Sequence, residues 1–244
     1  MIEARNLKKK FGKVVAVNGV SFTAQDGRIT GLLGPNGAGK TTTLRMIYGL
    51  MQPGGGAVRI DGIDAFADPL AARARIGVLS DARGLYVRLS ARENIRYYGE
   101  LHGLAGSPLE ARIDEMLELL DMGDIAERRV EGFSQGERMK TAIARILVHD
   151  PQNILLDEPT NGLDIMTTRA LRRAIQALAD RGKCVVFSTH IMQEVAALCD
   201  RVIIIAKGVI RAEGSPAEIM AATGKANLED AFVAAVGTEE GLAA

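Results

Sequence analysis

The 244 residues, 47% of them hydrophobic, suffice for one α/β domain or for one core carrying an inserted subdomain. Thirty basic and thirty acidic side chains cancel and aromatics make up only 4%, which disfavours both an electrostatic hold on nucleic acid and a base-stacking platform. The two cysteines, Cys184 and Cys199, lack metal-ligand spacing and fit a reducing compartment, the N-terminus lacks a signal-peptide core, and no stretch is long enough to cross a bilayer, so any membrane role would run through a partner from the cytoplasmic side.

Short strands are expected at residues 14–17, 21–24 and, after a turn at Asp26-Gly27, 28–33. Ahead of them Lys8, Lys9, Lys10 and Lys13 surround Phe11, a run equally compatible with a solvated edge and with help in balancing phosphate charge. The third strand runs into a glycine-rich loop and a helix with Leu44 and Ile47 inward. A further strand carries Val58 and Ile60. The middle of the chain is predicted to be helical. Ser90 and Glu93 read as a capping box, Ser107 and Glu110 as a second one with Pro108 at the first helical position, and Ile113, Met116, Leu117 and Leu120 share one face. The final third alternates strand (154–156), helix (Leu171, Ala174, Ile175, Leu178 inward), strand (185–187), short helix and strand (202–205), with one more helix over 228–236. That alternation predicts a parallel sheet with its ligand at the strand C-terminal ends.

Gly34-Pro35-Asn36-Gly37-Ala38-Gly39-Lys40-Thr41, followed by Thr42, fits the phosphate-loop pattern of Gly, four residues, Gly-Lys-Ser/Thr. A triphosphate needs converging backbone N–H groups at close approach; glycines permit that path, and the helix start adds a favourable dipole. In this pattern Lys40 faces the β- and γ-phosphates and the Thr41 hydroxyl ligates Mg²⁺. Ile154-Leu155-Leu156-Asp157-Glu158 is a buried strand ending in two acids. Beside such a loop, Asp157 is expected to hold Mg²⁺. By strand alternation Glu158 is expected on the opposite side, where it would activate the attacking water.

Phe133-Ser134-Gln135-Gly136-Glu137, standing before the Asp-Glu pair, resembles the signature motif of the ATP-binding-cassette (ABC) family, usually Leu-Ser-Gly-Gly-Gln. Gly162-Leu163-Asp164 resembles the family's D-loop, and Ser188-Thr189-His190 its switch-histidine segment. The resemblance covers almost the whole chain in the right order. It implies a RecA-like α/β P-loop NTPase core (residues 1–87 and 146–224) with an N-terminal antiparallel β subdomain, an inserted α-helical subdomain (88–145) and a tail (225–244), the whole forming one nucleotide-binding domain. It further implies that Phe11 stacks on adenine and that His190 bridges Glu158 to the γ-phosphate. Ser134, Gln135 and Gly136 would bind the γ-phosphate of the ATP held by a second copy, and an integral membrane permease would dock on the helical subdomain. Two departures stand out. Asp81 takes the place of a Gln that helps to hold Mg²⁺, and Glu137 adds a negative charge near the signature.

Within the family, residues 81–86 with 89–94, and 190–195 with 198–201, resemble the ATPase subunits of bacterial two-component exporters, most closely the sodium-extruding type. An ATPase for another cargo remains open. A ribosome- or DNA-directed ABC protein would carry two cassettes or a long coiled-coil insert, and a kinase or GTPase would leave residues 133–137 unexplained. A silent cassette would not need Lys40, Glu158 and His190 together.

Overall fold

The computed structural model describes residues 1–80 and 84–237. In chain order the strands and helices are β1 (Ile2–Phe11), β2 (Val14–Ala24), β3 (Ile29–Leu33), α1 (Lys40–Ile47), β4 (Gly55–Ile60), β5 (Ile63–Asp64), α2 (Pro69–Ala74), β6 (Ile76–Leu79), α3 (Ala91–Leu101) and α4 (Gly106–Leu119). There follow α5 (Gln135–Leu147), β7 (Asn153–Asp157), α6 (Ile165–Asp180), β8 (Cys184–Thr189), α7 (Met192–Leu198), β9 (Arg201–Ala206), β10 (Val209–Gly214), α8 (Pro216–Thr223) and α9 (Leu228–Val236).

An antiparallel sheet runs in the order β2-β1-β4-β5, and a second sheet in the order β10-β9-β3-β8-β7-β6. In the second, every pairing is parallel except that of β9 with the edge strand β10. A parallel sheet needs both faces covered, and β9 shows how the sequence supplies them. Ile203 and Ile205 face the antiparallel sheet and α1, whereas Val202 and Ile204 join a core that continues through α5 into α3 and α4. This is the RecA-like architecture with an antiparallel β layer and inserted helices.

Several local expectations change. The predicted runs at 14–17 and 21–24 are one strand. Asn18-Gly19 reads as a turn, but Gly19 adopts φ +83° opposite a bulge where Asn6 has φ +49°. Residues 76–79, read as loop, form β6. Its Gly77 is needed because a Cβ there would lie 2.4 Å from the Ile146 carbonyl oxygen of α5. The capping box at Ser90 is present with both bonds. The one at Ser107 is absent: α4 starts at Gly106 without a side-chain cap. Glu110 is drawn instead to Arg96, whose Nε and Nη2 donate to its two oxygens at 2.8 and 2.9 Å, and such bidentate pairing outweighs a reach back to one backbone N–H.

His102 and His149, to which the sequence assigns no role, stack face to face, with centroids 3.6 Å apart and planes 4° from parallel. Burial, then the neighbouring His102, pushes His149 down to about 4. Its unfolded value near 6.5 is higher, so the unfolded chain binds more protons between these pH values. The stability contributed by neutral His149 is therefore complete above about pH 6.5 and is lost as pH falls toward 4. Thermal melts from pH 7 to 4.5 are expected to show a falling midpoint, with a shallower fall in His149→Gln. Equal slopes in the two proteins would show that His149 is not the responsible group.

Candidate functional site

β3, near the centre of the parallel sheet, delivers the chain into the loop 34–39 at the sheet's C-terminal edge. Two glycines make the path possible. A Cβ on Gly34 would lie 2.2 Å from the Ile205 carbonyl oxygen, and one on Gly39, at φ +106°, would lie 2.6 Å from that of Ala16. The two-residue hairpin Lys207-Gly208 braces the loop from behind. The Gly208 N–H donates to the Ala38 carbonyl at 2.9 Å, and its own carbonyl accepts from Asn18 N–H at 2.8 Å.

Lys40 opens α1 and is almost fully buried, its ammonium donating to the carbonyls of Gly34 at 2.7 Å and Pro35 at 3.2 Å. The same Nζ lies 3.4 Å from Glu158 Oε1. Thr41 donates its hydroxyl to Asp157 at 3.2 Å, and Ser188 donates to the same carboxylate oxygen at 2.5 Å. His190 Nδ1 stands 3.0 Å from Glu158 Oε2. Asn36, Gly37, Ala38, Gly39, Lys40, Thr41, Thr42, Asp157, Glu158 and His190 thus border one cavity of about 510 Å³.

The expected opposite placement of the two acids is not what forms. β7 ends at Asp157, and Glu158 adopts φ +47°, so strand alternation no longer applies and both carboxylates face the same cavity. Ser188 fixes this turn: it pairs with Asp157 across β7 and β8, and its hydroxyl accepts from Glu158 N–H at 3.1 Å. Sequence alone gives Ser188 no role of its own, nor Arg45 and Asn161, which line the cavity as well. A serine near the end of the strand that follows the Asp-Glu strand is the one available signal.

The signature residues lie elsewhere. Ser134 caps α5 in a capping box with Glu137. Gln135 Nε2 donates to the Asn161 carbonyl at 3.2 Å and lines an adjoining cavity of about 360 Å³ with Ser80, Asp157 and Glu158. Gly136 packs so closely on α6 that a Cβ would lie 2.9 Å from Thr167 Oγ1. Among the described residues bordering the two cavities, Ser134 and Gly136 are absent. Glu137 does not bring a loose charge. Its carboxylate accepts from Ser134 N–H at 2.7 Å and pairs with Arg128 at 2.9 Å, and that backbone hydrogen bond leads in lowering its pKa. Phe11 sits at the end of the β1–β2 hairpin, 47% exposed and outside the cavity wall, with Lys9 Nζ 5.7 Å from its ring centre. Asp81 lies outside the described residues.

The donor set suits a hard cation. Thr41 and Asp157 present oxygen ligands side by side. No cluster of three His, Cys, Asp or Glu side chains exists among the described residues. Such a site leaves most of the coordination to water and substrate phosphates, as Mg²⁺ prefers.

Residues 17–161 match the family model described as ABC transporter. The chain is 47% identical over 213 residues, 87% of either chain, to the ABC transporter ATP-binding protein NatA of Bacillus subtilis (strain 168). It is 39% identical over 215 residues, 88% of this chain and 71% of the other, to the Nod factor export ATP-binding protein I of Burkholderia lata. The dimeric post-hydrolysis structure of the ATP-binding cassette MJ0796 with ADP and Pi superposes with a TM-score of 0.79 at 29% identity, covering 88% of this chain and 98% of that one. The cavity's phosphate loop and paired acids, the fold and these likenesses agree: the chain belongs to the ABC transporter family, as an ATP-binding subunit that hydrolyses ATP.

Proposed function

We propose that this subunit drives an exporter, coupling Mg-ATP hydrolysis to transport by a separate integral membrane permease from the cytoplasmic face, with no nucleic-acid partner. Two copies sandwich two nucleotides, and each copy's Ser134, Gln135 and Gly136 meet the γ-phosphate held by the other. The observation that carries this reading is the split within one chain. Lys40, Thr41, Asp157, Glu158 and His190 share a cavity, whereas Ser134 and Gly136 stand outside it at a helix N-terminus suited to an anion.

The roles follow from the geometry. Lys40 and the loop N–H groups hold the phosphates, and a γ-phosphate arriving at Lys40 replaces Glu158 as its anionic partner. Glu158 then takes a proton from the water whose oxygen attacks the γ-phosphorus. The bond to the bridging oxygen breaks, and ADP leaves with its electron pair. His190 holds the Glu158 carboxylate in place and contacts the γ-phosphate. Mg²⁺, held through Thr41, Asp157 and Asp81, supplies charge neutralisation of the phosphate oxygens. Phe11 stacks on adenine. The helical unit 88–145 docks on the permease.

Sodium is the proposed cargo, supported by the likeness of 81–94 and 190–201 to the ATPase subunits of sodium-extruding exporters. A different cargo is the second reading, favoured by the likeness to a Nod factor export protein. Inverted membrane vesicles carrying the chain with its permease should take up ²²Na⁺ when given Mg-ATP. Vesicles that hydrolyse ATP in response to an organic solute and take up no ²²Na⁺ would select the second reading.

A further inference from the structure

On the far side of α1 from the phosphates lies a groove of about 330 Å³, bordered by Tyr48, Leu50, Arg73, Tyr98, Arg145 and the stacked pair His102 and His149. It runs between the α1 end, β6 and the helical unit proposed to meet the permease, so a role for this groove in coupling rests on that docking. One residue reaches both places. Arg45 lines the nucleotide cavity with Thr41, Thr42, Asp157 and Glu158. Its backbone carbonyl accepts the N–H groups of both Leu50 and Met51 at 3.0 Å, closing the turn that presents Leu50, 69% exposed, at the groove's rim. Tyr48 is one helical turn further on, and residues three apart on a helix are surface neighbours.

The electrostatics tie the two ends together. Burial raises the Tyr48 phenol, the Arg45 guanidinium beside its hydroxyl opposes that rise, and the Asp157 carboxylate adds to it. Tyr48 therefore senses both a cation and an anion of the nucleotide cavity while its ring forms part of the groove wall. When Mg-ATP enters, the Asp157 charge is matched by the metal, and the phosphates compete with Tyr48 for the guanidinium.

We propose that Arg45 is a positioning residue for coupling: it reads the charge in the nucleotide cavity and, through Tyr48 and the Leu50 turn, resets the wall of the permease-facing groove. Gly49 gives the turn a second tether, its carbonyl accepting from Arg73 at 2.8 Å, so a shift at Arg45 moves a connected rim rather than one side chain. This route is separate from the segment around Asp81.

The chain has four tyrosines, Tyr48, Tyr86, Tyr97 and Tyr98, so 3-fluorotyrosine labelling gives a resolvable ¹⁹F spectrum in which Tyr48→Phe assigns one line. In the Glu158→Gln background, saturating Mg-ATP should shift the Tyr48 line. In Glu158→Gln with Arg45→Met, at nucleotide levels raised until a fluorescent ATP analogue is fully displaced, the shift should be abolished. Arg45→Lys should restore part of it. A Tyr48 line that moves equally in the Arg45→Met variant, or that stays still in saturated protein with Arg45 present, overturns the relay while leaving the nucleotide site standing. Failure to displace the analogue at all would overturn the nucleotide-site reading, and the relay with it.

Discussion

Replacing Glu158 by Gln is expected to lower steady-state ATP turnover by about 10²- to 10⁴-fold, the range lost when a positioned proton acceptor is removed. The structure makes this a clean substitution. Gln keeps the shape and can keep a hydrogen bond to His190, now made at 3.0 Å to the carboxylate. It also removes the anion 3.4 Å from the Lys40 ammonium, so a phosphate entering there has no internal competitor. Mg-ATP affinity should accordingly hold or tighten while turnover collapses. A phosphate-release assay beside a binding titration separates the two, and turnover within about threefold of the original protein would remove Glu158 from the role of general base.

Lys40→Met should act on the opposite quantity. The buried ammonium is already stripped of water and held by the Gly34 and Pro35 carbonyls, aimed along the loop whose N–H groups converge on the same space. A hydrogen bond to a charged group is worth about 1.5–3 kcal/mol, so its loss should weaken Mg-ATP binding by about 10- to 150-fold. Ligand binding to the native state raises the melting temperature. The rise produced by Mg-ATP in the original protein should nearly vanish in Lys40→Met at the same nucleotide concentration. An undiminished rise would mean that the ammonium is not a phosphate ligand.

What can be read from the sequence is what is contiguous along it. The phosphate loop works through eight consecutive residues and the acid pair through two, so both are visible without a fold, and the buried strands flanking them are apolar on both faces. The bulge at Asn6 hides β1: Ile2 and Ala4 are buried in one phase and Leu7 in the other, so the charge-rich stretch shows no regular alternation. Ser188 is hidden for a different reason. It reaches Asp157, 31 positions away, only because β8 pairs with β7, and no local pattern encodes that pairing. Glu158 shows the limit of a periodicity rule, since its left-handed backbone begins where the strand stops. Glu137 reads in sequence as a charge added to the signature, whereas the folded chain uses that charge on the cap of α5 and on Arg128.

The central claim is that each site is completed by the Ser134 end of α5 from a second copy. The most direct test is the mass of Glu158→Gln by light scattering, with and without Mg-ATP, repeated with Ser134→Arg added. The account predicts the mass of one chain without nucleotide and of two chains with it, and a return to one chain in the double variant although ATP remains bound. A single-chain mass for nucleotide-saturated Glu158→Gln, or a dimer indifferent to Ser134→Arg, would contradict it.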